Sequence, residues 1–225
     1  MRRFGICKKA ALSVAFFFGG ILMAQAEGGP ARGLLAAAEK GDVAAIRGAL
    51  AAGVKVDARD GEGRTPLLIA THNNRVEAAH ALIAAGADVN AKDGISDTPY
   101  LYAGAEGRIE ILRMTLGAGA NLKDTNRYGG TALIPAAHHG HPEAVRILLE
   151  AGVAPDHVNK LGWTALLEAI VLGDGGPTHT EIVKLLVDGG ADVNIPDKDG
   201  VTPLTHARRR GYTAIAEILQ AANAR

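Results

Sequence analysis

Apolar residues recur three and four apart in several short segments: Val145, Leu148 and Leu149; Ile182, Val183 and Leu186; Ile215, Ile218 and Leu219. That spacing puts one apolar stripe on one face of a helix. A shorter helix-forming stretch precedes each segment, and Thr65-Pro66-Leu67-Leu68-Ile69-Ala70 is its pattern. The threonine reads as a helix N-cap, and proline at 66, 99 and 203 fits the first helical position, where no amide hydrogen is needed. These first helices are expected to stop at Asn74, Gly107, Gly140, Gly173 and Gly211. Before each threonine stands a turn opened by Asp60, Asp93, Asn126, Asn159 or Asp197, residues that bond their own backbone. The second helix closes with Ala-Gly-Ala-Asp-Val-Asn at 85–90 and Gly-Gly-Ala-Asp-Val-Asn at 189–194.

Turn, helix, turn, helix is one unit, and its period is fixed. Thr65, Thr98, Thr131 and Thr164 are 33 residues apart, and only the step to Thr202 stretches to 38. Such a unit cannot bury its apolar face alone, so copies must stack into an array. The Thr-Pro-Leu start, the Gly-Ala-Asp-Val-Asn end and the 33-residue spacing resemble ankyrin repeats over residues 31–225. The resemblance implies an all-α solenoid of about six helix-turn-helix repeats joined by short β-hairpin turns, over about 31–63, 64–96, 97–129, 130–162, 163–200 and 201–225. It also implies a histidine three residues after each threonine, bonding between neighbouring loops. Here that position holds Leu68, Leu101, Ile134, Leu167 or Thr205, so apolar contact is expected to replace the polar link.

The first and last units differ from the rest. The first lacks the threonine cap, and the last ends in Glu217, Gln220 and Arg225, as suits end caps with one face in water. Pro135, four residues past Thr131, should distort its helix without breaking it. The extra five residues of the fifth unit fall in Gly173-Asp174-Gly175-Gly176-Pro177-Thr178-His179-Thr180, expected as a loop insertion or a contact loop. No strand precedes it and no Lys-Ser/Thr follows, so a phosphate-binding loop is excluded.

Residues 1–26 carry a basic start (Arg2, Arg3, Lys8, Lys9), an uncharged run from Ala10 to Met23, and Ala24-Gln25-Ala26. Those are the three parts of a secretory signal peptide, with 27–30 as a short flexible leader. The apolar run is short for a membrane-spanning anchor. Export, most simply to a bacterial periplasm, is the expected location. Without the four basic residues of the signal, 20 Lys and Arg face 24 Asp and Glu, a net charge of −4. That charge offers no basic field to nucleic acid or an anionic membrane. The only Cys and all four Phe lie in the signal, so the remaining chain has neither a disulfide nor thiol chemistry.

Beyond the signal the chain has one serine, Ser96, in a turn, and no Gly-x-Ser-x-Gly or His-Glu-x-x-His. No nucleophile with an orienting base is legible, and an enzyme is not expected. No cofactor is implied, and three histidines within four residues (His138, His139, His141) do not readily converge on one ion. The histidine turn and the 173–180 insertion nonetheless carry the alternative reading, a metal- or small-ligand-binding envelope protein.

The main reading is a non-enzymatic, monomeric module binding another protein. Family members similar to this one bind partners through hairpin tips and the ends of the first helices, which line a concave face. Counted from each threonine, those positions are Arg64, His72 and Asn73; Ile95, Asp97 and Glu106; Tyr128, His138 and His139; Leu161, Trp163, Val171 and Leu172; and Val201, Arg209 and Arg210. The middle of the row is apolar and holds the only Trp, as an interaction hot spot would. Arg208, Arg209 and Arg210 would receive an acidic partner. Tyr100 and Tyr102 could extend the surface, with Tyr100 packing inside.

Overall fold

The computed structural model describes residues 28–225, so the expected signal peptide lies outside the described residues. Twelve helices follow one another. They are α1 (Gly28–Lys40), α2 (Val43–Ala51), α3 (Pro66–His72), α4 (Val76–Ala84), α5 (Pro99–Ala105), α6 (Ile109–Gly117), α7 (Leu133–His138), α8 (Pro142–Glu150), α9 (Ala165–Val171), α10 (Pro177–Asp188), α11 (Pro203–Arg209) and α12 (Thr213–Ala221). Odd-numbered helices stack on odd and even on even, each also packing on its hairpin partner, which makes a two-layer solenoid. Between the layers runs a continuous core from Leu34 and Ile46 through Leu82, Leu112, Leu148 and Leu186 to Leu219. α1 begins at Gly28, within the span 27–30 expected as a leader, and is longer than the other inner helices.

The caps form as their residues dictate, with one exception. Thr65, Thr98, Thr164 and Thr202 accept from the amide three residues on, at 3.0–3.3 Å, and their carbonyls accept from the fourth. At Thr131 the fourth residue is Pro135, which has no amide hydrogen. The Ile134 amide turns to the Thr131 carbonyl instead (3.2 Å), and the buried Thr131 hydroxyl is left without a partner. The expectation that Thr131 caps its helix is therefore corrected. The helix survives, one residue shorter than its neighbours.

The turns are hairpin-shaped, but no strand forms among the described residues, which corrects the β-hairpin expectation. Each is closed by two amide-to-carbonyl bonds, such as Asp93 to Asp97 (3.0 Å) and Ser96 to Asp93 (3.2 Å), and by the opening side chain. Asp60, Asp93, Asn126, Asn159 and Asp197 each accept two amides on Oδ1, two and four residues ahead, at 2.9–3.1 Å. With the side chain holding both amides, too few ladder bonds remain to make a strand.

Polar links between units run through the backbone, beside the mostly apolar contact expected at the histidine position. The Gly94 amide donates to the Glu62 carbonyl (2.9 Å) and the Lys160 amide to that of Tyr128 (3.0 Å). A second ladder runs through the turns after the outer helices. Asp57, Asn90, Asp156 and Asn194 accept the amides of Asp88, Asn121, Asp192 and Arg225 at 2.8–3.1 Å. Leu68, Leu101, Ile134 and Leu167, which stand where the family histidine would, are buried.

The five extra residues do not make a free loop. Three of the five lengthen α10 to 12 residues, against nine in the outer helices on either side. His179, now helical, donates from Nε2 to the His138 carbonyl (3.1 Å), and its Nδ1 faces Asp174 Oδ1 (2.9 Å). Tyr212 donates to the Gly173 carbonyl (3.0 Å). Gly173 is not the left-handed stop expected of it; that backbone falls on Gly175 (φ 69°), where a Cβ would meet the Tyr212 ring at 2.3 Å. The segment is bolted down on both sides.

Candidate functional site: a groove across the inner helices

The hairpin tips and the ends of α5, α7 and α9 enclose a groove of about 530 Å³. Four of the five exposed large apolar side chains among the described residues line it: Ile95, Tyr128, Leu161 and Leu172. Ile95, Tyr128 and Leu161 occupy the same hairpin position in successive units, so the turn geometry sets them in a row. Leu101, Ile134 and Pro135 form the wall beneath. Clustered exposure of this kind marks interaction surfaces, whereas isolated apolar residues do not.

Charge is held at the floor and rim. Glu168 is 6% exposed, and its Oε1 accepts from Asn159 Nδ2 at 2.8 Å. Burial raises its carboxyl above the ordinary range, opposed by the Asn159 bond. Burial also raises Asp97, helped by the neighbouring Asp93. His138 and His72 are both pushed down by burial, and then by neighbouring basic side chains: His139 and His179 for His138, Arg64 for His72. The His72 ring lies 3.9 Å from that of Tyr102, tilted by 33°. Arg127 sits over the Tyr128 ring at 4.9 Å.

Nine of the expected residues meet in this groove: His72, Ile95, Asp97, Glu106, Tyr128, His138, His139, Leu161 and Leu172. Arg64 and Asn73 line a smaller cavity one unit earlier, which His72 joins to the main groove. Trp163 is half-buried and outside the groove lining, and so is Val171; the apolar patch is built without the indole. Arg209 and Arg210 are exposed at the end of α11, away from the lining. Tyr100 is fully buried, and Tyr102 lines the groove.

Sequence reasoning missed Glu168 and Asn159. The signal was available: the residue four past each threonine is Ile69, Tyr102, Pro135, Glu168 or His206, and a carboxylate stands out among them.

The histidine turn has other work. His139 donates from Nδ1 to the Ala105 carbonyl (2.8 Å) and lies 3.4 Å from Glu106, while His138 lies 3.7 Å from Glu168 Oε2. The His139 and His141 rings are 6.3 Å apart and edge-on. Among the described residues no three His, Cys, Asp or Glu are grouped to hold a metal ion. No helix among them is long and apolar enough to cross a membrane.

Comparison with known proteins agrees with this architecture. Family profiles described as ankyrin repeats match residues 100–197 (three copies) and residues 34–83 and 177–220 (many copies). The chain is 53% identical over 57 residues to the ankyrin repeat protein YahD of Escherichia coli (strain K12), a match spanning 25% of this chain and 28% of that protein. An ankyrin repeat domain from Acinetobacter baumannii AYE superposes with a TM-score of 0.83 at 58% identity, over 85% of this chain and 98% of the other. The ankyrin repeat protein EF0377 gives 0.80 at 48%, over 84% and 96%. The ankyrin repeat domain of Bcl-3 gives 0.77 at 27%, over 86% of each chain. Threonine caps, stacked helix pairs and solved relatives that cover most of this chain agree: the chain belongs to the ankyrin-repeat family.

Proposed function

We propose that the protein is an exported, monomeric, non-enzymatic module that grips a partner protein in the groove across α5, α7 and α9. The observation carrying this reading is the gathering of Ile95, Tyr128, Leu161 and Leu172, four of the five exposed large apolar side chains among the described residues, in one concavity. Ankyrin repeats generally mediate protein–protein interaction. The groove is of the size and character that holds a few anchoring side chains, with polar groups at the floor to orient them. The signal-like residues 1–26 support export, to a periplasm if the cell is bacterial.

The test compares partner capture by the wild type, Tyr128→Ala/Leu161→Ala and Trp163→Ala. The groove pair should lose capture with little change in Tm, because both side chains stand about half exposed. Trp163→Ala should instead lower Tm and leave capture intact. Undiminished capture by the groove pair would remove the reading. Fractionation of cells expressing the full chain tests export separately.

A further inference from the structure

Resting on that reading, we infer that Glu168 is the receptor for one lysine or arginine side chain of the partner, inserted between apolar anchors. The carboxylate is more than nine-tenths buried yet lines the groove. Its Oε1 is taken by Asn159, while Oε2 receives no hydrogen bond among the described residues; the closest basic nitrogen is His138 Nδ1, at 3.7 Å. Burial disfavours charge on His138, so that ring is a poor counter-ion at neutral pH. A buried carboxylate without a cation is costly, and the arriving cation removes that cost.

The surroundings select the same chemistry. Asp97 and Glu106 add negative charge along the groove, against the single exposed guanidinium of Arg127. Leu161 and Leu172 beside the floor offer apolar surface to the methylene stem of a long basic side chain. An acidic segment would meet three carboxylates, and a wholly apolar one would leave Glu168 dry and unpaired. The fitting occupant is a segment with one Lys or Arg flanked by apolar residues.

Panning a library of random 12-residue peptides against the full chain at pH 7.5 tests this, with Glu168→Gln and Tyr128→Ser/Leu161→Ser in parallel. Gln keeps an acceptor for Asn159, and melting curves would establish that both variants fold. The wild type should select one basic position with apolar neighbours. A synthetic peptide from that selection should bind Glu168→Gln at least about 10-fold more weakly, and its norleucine replacement should bind both proteins alike. Selection of apolar peptides with no basic position would overturn the inference while leaving the groove reading intact. Identical selection by the wild type and the serine variant would overturn both. Dimerisation lost in Glu168→Gln would assign the groove to a second copy of this chain and also overturn it.

Discussion

Asn159 donates through Nδ2 to Glu168 Oε1 at 2.8 Å, and the matching pair in the last unit, Asp197 and His206, is joined at 2.7 Å with donor and acceptor exchanged. In both, the residue opening the hairpin accepts its own turn amides and spends its remaining polar atom on the inner helix. Asn and Asp serve the turn equally, so in these two units the choice between them matches the partner nine residues on. Asparagine at 159 is what permits a carboxylate at 168.

Asn159→Asp should therefore keep the turn but set two carboxylates side by side. The loss at pH 7.5 should be about 1–3 kcal/mol, shrinking as acid supplies one shared proton. Urea unfolding at pH 7.5 and pH 5 checks it; equal losses at both would refute the pairing.

His72, His138 and His141 all have folded pKa values below 6.5, chiefly through burial. The unfolded chain then binds protons that the folded one refuses, so stability present above pH 6.5 is lost as pH falls through 6.5 toward the folded values. Asp97 and Glu168 are shifted up and work in the opposite sense at lower pH. Melting from pH 8 to 5.5 should show falling Tm, with a shallower slope in His72→Phe.

Pro135→Ala should return an amide to the Thr131 carbonyl and free the Ile134 amide for the Thr131 hydroxyl. A gain of about 1 kcal/mol is expected, or roughly 2–4 °C in Tm. An unchanged or lower Tm would show that proline is not what uncaps Thr131.

Ser96 holds φ 70° at the turn position that glycine fills at 63, 129, 162 and 200. A left-handed L-residue is strained by roughly 1–2 kcal/mol, partly offset in Gly by the looser unfolded chain. Ser96→Gly should raise stability by about 0.5–1 kcal/mol in a denaturant titration.

Much of this architecture was legible before any coordinates, because each unit writes its own boundaries: Asp or Asn to open the turn, Thr to cap, Gly to stop. What stayed hidden depends on relations between units. Trp163 is half-buried and outside the groove lining, and its own unit carries no mark of that. The segment 173–180 reads as a loop by composition, yet its second half, 177–180, opens α10 because Pro177 can start a helix and His179 finds the His138 carbonyl. Glu168 lies outside the register of the helix ends, yet a residue four past the threonine also faces the groove.

Amide hydrogen exchange, with and without a groove-selected peptide, tests the central claim most directly. Protection should rise at the hairpin tips 95–97, 126–130 and 159–163 and at the helix ends 105–106, 138–139 and 171–172. Protection confined to the outer helices α4, α6 and α8 would contradict it.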